Sequence, residues 1–259
     1  MTAVHLFVTC VGEMVVPDVP VAAVRVLRAA GCSVDVPVGQ TCCGQPAWNA
    51  GFTEQAAEVA RTSLDALDAP LADDPDAVVV VPAGSCTTMI RLYWPQLFEL
   101  VGDDERAARA REVAARTFEL TEFLEGRELP TVDGAATTVA LHESCHLLRE
   151  LHVETGPGAA LARVAGCTRV DWSADDRCCG FGGTFSVKLP ETSVAMADEK
   201  LDTLPDGVEV IVGADSSCLL HLRTRAEHRG LAVTTRHVAE VLDDAIRAED
   251  GSEKGDGRG

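Results

Sequence analysis

The sequence predicts an α/β protein built from two tandem, pseudo-symmetric repeats, each a mainly parallel sheet flanked by helices. Three observations predict it. The ten cysteines fall at 10, 32, 42, 43 and 86, then at 145, 167, 178, 179 and 218, with pairwise offsets of 135, 135, 136, 136 and 132 residues. The text around them agrees, Ala30-Gly31-Cys32 with Ala165-Gly166-Cys167 and Ser85-Cys86 with Ser217-Cys218, which marks a duplicated unit. Short, nearly continuous apolar runs alternate with helical patterns, as strands of a parallel sheet covered on both faces alternate with helices.

Residues 4–9 and 138–142 read as buried strands, each running directly into the first cysteine of its repeat. A helix rich in Ala, Val and Leu follows over 19–30, stopped by Gly31; its counterpart over 159–165 is stopped by Gly166. A short strand then leads to Cys42-Cys43-Gly44 in one repeat and to Cys178-Cys179-Gly180 in the other. Amphipathic helices are expected over 53–67 and 192–204, the first with Thr53 as its N-cap. The apolar runs 77–81 and 208–212 suit central strands, and each feeds a small-residue turn carrying the last cysteine, then another helix. The chain divides into a first repeat over 1–126, a linker over 127–136 with Pro130 and Gly134, and a second repeat over 137–249. Residues 250–259, without apolar side chains, are expected to be a disordered tail.

A 46% apolar composition supplies a core, and with aromatics at 4% that core is mostly Ala, Val and Leu. The formal charge of −19 argues against nucleic-acid and anionic-membrane surfaces, which need clustered Lys and Arg. The N-terminus has no basic segment ahead of its apolar run, so no signal peptide is expected. No window approaches 18 uninterrupted apolar residues, so no direct membrane insertion is expected either. A cytoplasmic location follows, where thiols stay reduced and ten cysteines read as metal ligands or redox groups before disulfides.

The first and last cysteines of each repeat lie just past the carboxyl ends of expected strands, the edge at which open parallel sheets bind ligands. If the Cys-Cys-Gly turns reach that edge, four thiols per repeat converge. Adjacent cysteines in extended backbone point in opposite directions, so gripping one small ion needs a tight turn and an awkward chelate ring. A wide iron–sulfur body is the easier target. Gly44 and Gly180 would supply a backbone conformation closed to other residues and N–H groups that can donate to cluster sulfur. Zinc remains an alternative, as does thiol–disulfide chemistry, although a disulfide between neighbours is strained. A phosphate-loop reading of Gly180-Phe181-Gly182-Gly183 fails, because no GxxxxGK pattern follows and repeat one has GQPAW at that place. Lys188 nearby reads as a solvated surface residue.

The twice-repeated pattern Cys, long gap, Cys-Cys-Gly, long gap, Cys resembles the cysteine-rich CCG domain family, which includes a subunit of heterodisulfide reductase and iron–sulfur subunits of glycolate and glycerol-3-phosphate oxidising complexes. The stretches LFVTC, CCGQPAWNAG, GSCTTM, SCH, CCGFGGTFSVK and HVAEVL are most similar to a branch that oxidises L-lactate to pyruvate. They span both repeats. The resemblance implies one iron–sulfur cluster per repeat, of the [4Fe–4S] kind, on Cys10, Cys42, Cys43 and Cys86 and on Cys145, Cys178, Cys179 and Cys218. It implies two partners, a ferredoxin-like iron–sulfur subunit and a smaller companion protein. The fullest CCG pattern ends in CxxC; here Met89 and His221 stand at the last place, so the five-thiolate non-cubane cluster of heterodisulfide reductase lacks a ligand.

Other candidates weigh less. Cys32 and Cys167 sit in AGC turns that suit small, buried, non-ligating residues. His142 and His146 flank Cys145, where repeat one has Phe7 and Val11, and an acid or base confined to repeat two is conceivable. His221 reads as a helix-surface histidine; Trp48, Tyr93 and Trp94 read as core or interface residues. No flavin or nicotinamide fingerprint is visible, and no Arg stands in a carboxylate-clamp motif. The reading is therefore an electron-transfer subunit, with a heterodisulfide or thiol–disulfide reductase subunit and a zinc-bound scaffold as rivals.

Overall fold

The computed structural model describes residues 1–129, 134 and 136–253. Half of the expected linker and the end of the expected tail lie outside the described residues. In the first repeat the elements run β1 (Thr2–Leu6), α1 (Cys10–Met14), α2 (Asp18–Ala29), β2 (Cys32–Asp35), α3 (Gln45–Asn49), α4 (Thr53–Asp73), β3 (Val78–Val81) and α5 (Gly84–Thr88). A π-turn (Met89–Tyr93), α6 (Trp94–Leu100), α7 (Asp104–Ala115), β4 (Thr117–Glu119) and α8 (Leu120–Leu124) complete it. The second repeat runs β5 (Thr137–His142), a π-turn (His146–Glu150), α9 (Gly156–Leu161), β6 (Cys167–Val170), α10 (Thr184–Lys188) and α11 (Pro190–Asp202). β7 (Val210–Gly213), α12 (Ser216–His228), β8 (Thr234–His237) and α13 (Val238–Glu253) follow.

Each repeat forms one four-stranded sheet, in the orders β2-β1-β3-β4 and β6-β5-β7-β8. Every pairing is parallel. The duplicated α/β architecture expected from the cysteine spacing is present. Several local expectations differ; among them, the helix expected over 159–165 is α9, which ends at Leu161. β1 stops at Leu6, because the Thr9 hydroxyl accepts from Gly12 N (3.0 Å) and starts a helix at Cys10. Thr53 is the first residue of α4 rather than its cap, which is Phe52 without a side-chain hydrogen bond. Cys86 and Cys218 lie within the first turns of α5 and α12, not in the turns before them.

The apolar stripe of α2 (Ala22, Ala23, Val26, Leu27) is buried in a core shared by both halves, with Val4 and Leu6 on one side and Val139, Leu141, Val238 and Leu242 on the other. Helix α13 of the second repeat packs on α2 of the first, and α8 of the first on α9 of the second. Each repeat keeps a second core on its outer face. The shared core fixes the two sheets against each other, and that sets where the cysteine-bearing edges meet.

Candidate metal centre

In a sheet of order 2-1-3-4 the chain switches sides between β1 and β3, opening a crevice at the carboxyl ends of those strands. Cys10 follows β1 and Cys86 follows β3. Cys145 and Cys218 stand in the same places after β5 and β7. The loops after β2 and β6 bring the adjacent pairs Cys42-Cys43 and Cys178-Cys179 to the same crevices. All eight of these cysteines line one cavity of about 340 Å³ between the repeats, together with Ser85, Ser144, His146, Phe181 and Asp215.

Within each site the adjacent cysteines divide. The Cys10 and Cys42 sulfurs are 3.5 Å apart, and those of Cys43 and Cys86 3.3 Å. In the second site Cys145 hydrogen-bonds to Cys178, and the Cys179 and Cys218 sulfurs are 2.9 Å apart. All ten cysteines are free thiols. The Cys-Cys-Gly turns do not leave the neighbours pointing apart: Cys42 hydrogen-bonds to Cys43 and Cys178 to Cys179, and each neighbour also meets a cysteine from another loop.

The glycines make the turns possible. Gly44 and Gly180 have φ of 89° and 88°, a region only glycine enters freely. A Cβ on Gly44 would lie 2.8 Å from the Ala56 carbonyl oxygen, and one on Gly180 would lie 2.5 Å from that of Ser193. The turns thus press directly on α4 and α11. Gly44 N and Gly180 N point at the Cys42 and Cys178 sulfurs at 3.5 and 3.4 Å, and Phe181 N at Cys179 at 3.5 Å. Trp94, fully buried, donates from Nε1 to the Cys43 carbonyl at 2.8 Å. Ser193 Oγ donates to the Gly180 carbonyl at 2.7 Å.

Crowding and burial hold most of these thiols protonated. Hydrogen bonding to Cys42 and then burial push the Cys10 thiol far above its ordinary value. Cys145 is raised in the same way by its hydrogen bond to Cys178 and by burial. Cys178 is lowered, by hydrogen bonds from Cys145 and Cys179. Four sulfurs this close cannot all ionise unless a cation replaces their protons, and soft thiolates select zinc, copper(I) or iron–sulfur cores. The donor set and the backbone N–H groups aimed at sulfur fit such a group.

The remaining sequence candidates fall elsewhere. Cys32 and Cys167 pair with Thr2 and Thr137 at the amino ends of β1 and β5, the opposite edge of each sheet from the cavity. Met89 is buried in the outer core of repeat one. His221 meets Ser193 Oγ at 3.2 Å and packs its ring against Phe181. Lys188 lies over the Phe52 ring. His146 Nδ1 is 3.2 Å from Glu150, whose other oxygen accepts from Tyr93 OH across the repeat boundary at 2.7 Å. Trp48 packs against Tyr93.

Sequence reading missed three polar residues around the site. Asp215 is buried between the two cysteine sets and accepts from Ser85 N (3.0 Å) and Ser217 N (3.1 Å). Ser63 and Lys200, both fully buried, hold the loops that carry the adjacent cysteines. Their signal was the helix register below each CCG turn, which appears only when α4 and α11 are aligned through the glycine contacts.

A family model described as a cysteine-rich CCG domain matches residues 4–91 and again 139–223. The chain is 42% identical over 250 residues to a lactate utilization protein A from an Exiguobacterium species, covering 95% of this chain and 99% of the relative. It is 42% identical over 243 residues to the protein of that name from Bacillus cytotoxicus, covering 92% and 98%. For the one from Macrococcus caseolyticus the identity is 39% over 251 residues, covering 95% and 98%.

Proposed function

The chain belongs to the cysteine-rich CCG domain family, within its lactate utilization protein A branch, and from that premise we propose that it is an iron–sulfur electron-transfer subunit of a complex that oxidises L-lactate to pyruvate. One [4Fe–4S] cluster per repeat is held by Cys10, Cys42, Cys43 and Cys86 and by Cys145, Cys178, Cys179 and Cys218. The partners are a ferredoxin-like iron–sulfur subunit and a smaller companion protein, and the complex works in the cytoplasm. Among the described residues no helix is long and apolar enough to cross a membrane.

One observation carries the reading: eight thiols from two separate sheets open on a single cavity. A scaffold stapled by metal has no need to bring two four-thiol sets face to face, whereas electron transfer does. When bound, the clusters supply one-electron redox chemistry. The chain's own residues do the rest: the cysteines bind, Gly44, Gly180 and Phe181 donate N–H groups to sulfur, and Cys43, Cys86, Cys179 and Cys218 are buried while the other four are partly exposed. No flavin- or nicotinamide-binding motif accompanies the site, which suits a relay better than the place where lactate itself reacts.

Anaerobic purification followed by iron, acid-labile sulfide and zinc analysis tests the proposal. About four irons and four sulfides per repeat are expected; stoichiometric zinc without sulfide would overturn it. Loss of growth on L-lactate in a deletion strain is expected, and rapid reduction of a disulfide acceptor by the reduced protein would favour the reductase reading instead.

A further inference from the structure

The two sites match cysteine for cysteine but not in the charge beneath them. Aligning α4 with α11 through the carbonyls that face Gly44 and Gly180 sets Ala56 against Ser193, and Ser63 then falls opposite Lys200. Both are fully buried. Ser63 Oγ accepts from Thr41 N at 2.9 Å and lies 3.2 Å from the Cys42 carbonyl oxygen. Lys200 Nζ donates to the carbonyls of Ala174, Asp175 and Arg177, the loop leading into Cys178, and lies 4.2 Å from the Trp172 ring centre. Three carbonyl acceptors and an aromatic face are the environment of an ammonium, with all three N–H groups used. The first site has a neutral hydroxyl where the second has a buried cation.

A second difference points the same way. Phe7 after β1 corresponds to His142 at the end of β5. His142 is buried, one of its ring nitrogens lies within 4.8 Å of the Cys179 and Cys218 sulfurs, and its backbone partner is Asp175. A neutral imidazole carries one N–H. Asp215 opposes this charge, acting on Cys86 of the first site and on Cys145 and Cys218 of the second, so it offsets part of the difference that the cation makes. Asp175 and Asp176 also face Lys200, yet they are partly or wholly solvent-exposed and screened.

We propose that the paired sites are electrically unequal, with Lys200 and His142 making the second-repeat cluster the more easily reduced, so that within the chain one electron passes from the first site to the second. This rests on the iron–sulfur reading above. Reduction adds one negative charge to a cluster; a buried cation and an N–H donor stabilise that charge and raise the potential. No bond or proton moves: the first cluster is oxidised by one electron and the second is reduced by it.

An anaerobic redox titration of the full chain, followed by low-temperature EPR, tests it. Two separated midpoints are expected, and Cys42→Ser should remove the signal with the lower one. Lys200→Met should move only the higher midpoint to lower potential. His142→Phe, which installs the residue of repeat one, should shift that same midpoint in the same direction and keeps the test open if the Lys200 variant fails to fold. Loaded clusters with coincident midpoints, or variants that leave the higher midpoint unmoved, would overturn the inference. Absence of iron and sulfide would instead overturn the reading on which it rests.

Discussion

At Gly180 an added Cβ would meet the Ser193 carbonyl oxygen at 2.5 Å and Met196 Cβ at 3.0 Å, on a backbone already at φ 88°. Gly180→Ala therefore combines left-handed strain with a clash against helix backbone, and should cost about 2–4 kcal/mol and most of the second site's iron. Gly51, at φ 82° with nothing within 4 Å, is the control. Gly51→Ala should cost only about 1 kcal/mol and keep the metal content, as measured by denaturant unfolding and iron analysis. For the thiols, Cys42→Ser or Cys179→Ser should lose cluster absorbance, whereas Cys32→Ser or Cys167→Ser should keep it; equal loss in all four would refute the division between the two sheet edges. These residues were legible because cysteine and glycine declare their chemistry by type and spacing. Lys200 was not: a lysine on an amphipathic helix reads as solvated, and only the packed loop of Ala174 to Arg177 shows otherwise.

Two helix starts, at α8 and α13, show the repeat continuing beyond its last cysteine. Glu119 ends β4 and accepts from Thr121 N (2.6 Å) and Glu122 N (3.3 Å), while Glu122 accepts from Glu119 N (3.1 Å). His237 ends β8, its Nδ1 accepting from Ala239 N (3.1 Å) while Glu240 accepts from His237 N (2.8 Å). The text ELTEFL against HVAEVL carries this match, but cysteine arithmetic passes over it, because α6 and α7 lengthen the first repeat there. The edge strands β4 and β8 were illegible for a related reason: three or four mixed residues give no apolar run. Burial pushes Glu119 up to about 7 and His237 down to about 4. The signs are opposite. Between pH 4.5 and 7 the unfolded chain loses the Glu119 proton while the native state keeps it, so that stability falls as pH rises, by about 3 kcal/mol. Between pH 6.5 and 4 the unfolded chain gains a proton at His237 that the native state refuses, so that stability falls as pH drops, by a similar amount of about 3 kcal/mol. Denaturant unfolding of the apo-protein across this range should show Glu119→Gln and His237→Gln removing slopes of opposite sign; slopes of one sign would refute the assignment.

Across the whole molecule the repeats exchange their last helices: α13 lies on α2 and α8 on α9. The stripe on α2 was visible in the sequence, but nothing local says which surface covers it, and the shared cavity depends on that pairing. Non-local packing between pseudo-equivalent elements leaves no periodic signal in one chain. Its energetic consequence is that neither repeat buries its inner face alone. Val4, Leu6 and Leu27 of the first repeat and Leu141, Val238 and Leu242 of the second belong to one continuous apolar cluster. The outer cores, around Trp94 in one repeat and Trp172 in the other, are separate. If the shared core governs, unfolding is one cooperative transition, with calorimetric and van't Hoff enthalpies equal; if the outer cores govern, two transitions appear. Leu242→Ala decides between them. Leu242 is 2% exposed on α13, and removing its side chain should cost about 2–5 kcal/mol. In the apo-protein the single transition should move down without splitting. Hydrogen-exchange protection should fall together in β3 of the first repeat and β7 of the second, although Leu242 belongs to the second repeat alone. Loss of protection confined to β7 and its neighbours would mean that the two halves fold independently and meet only at the thiols.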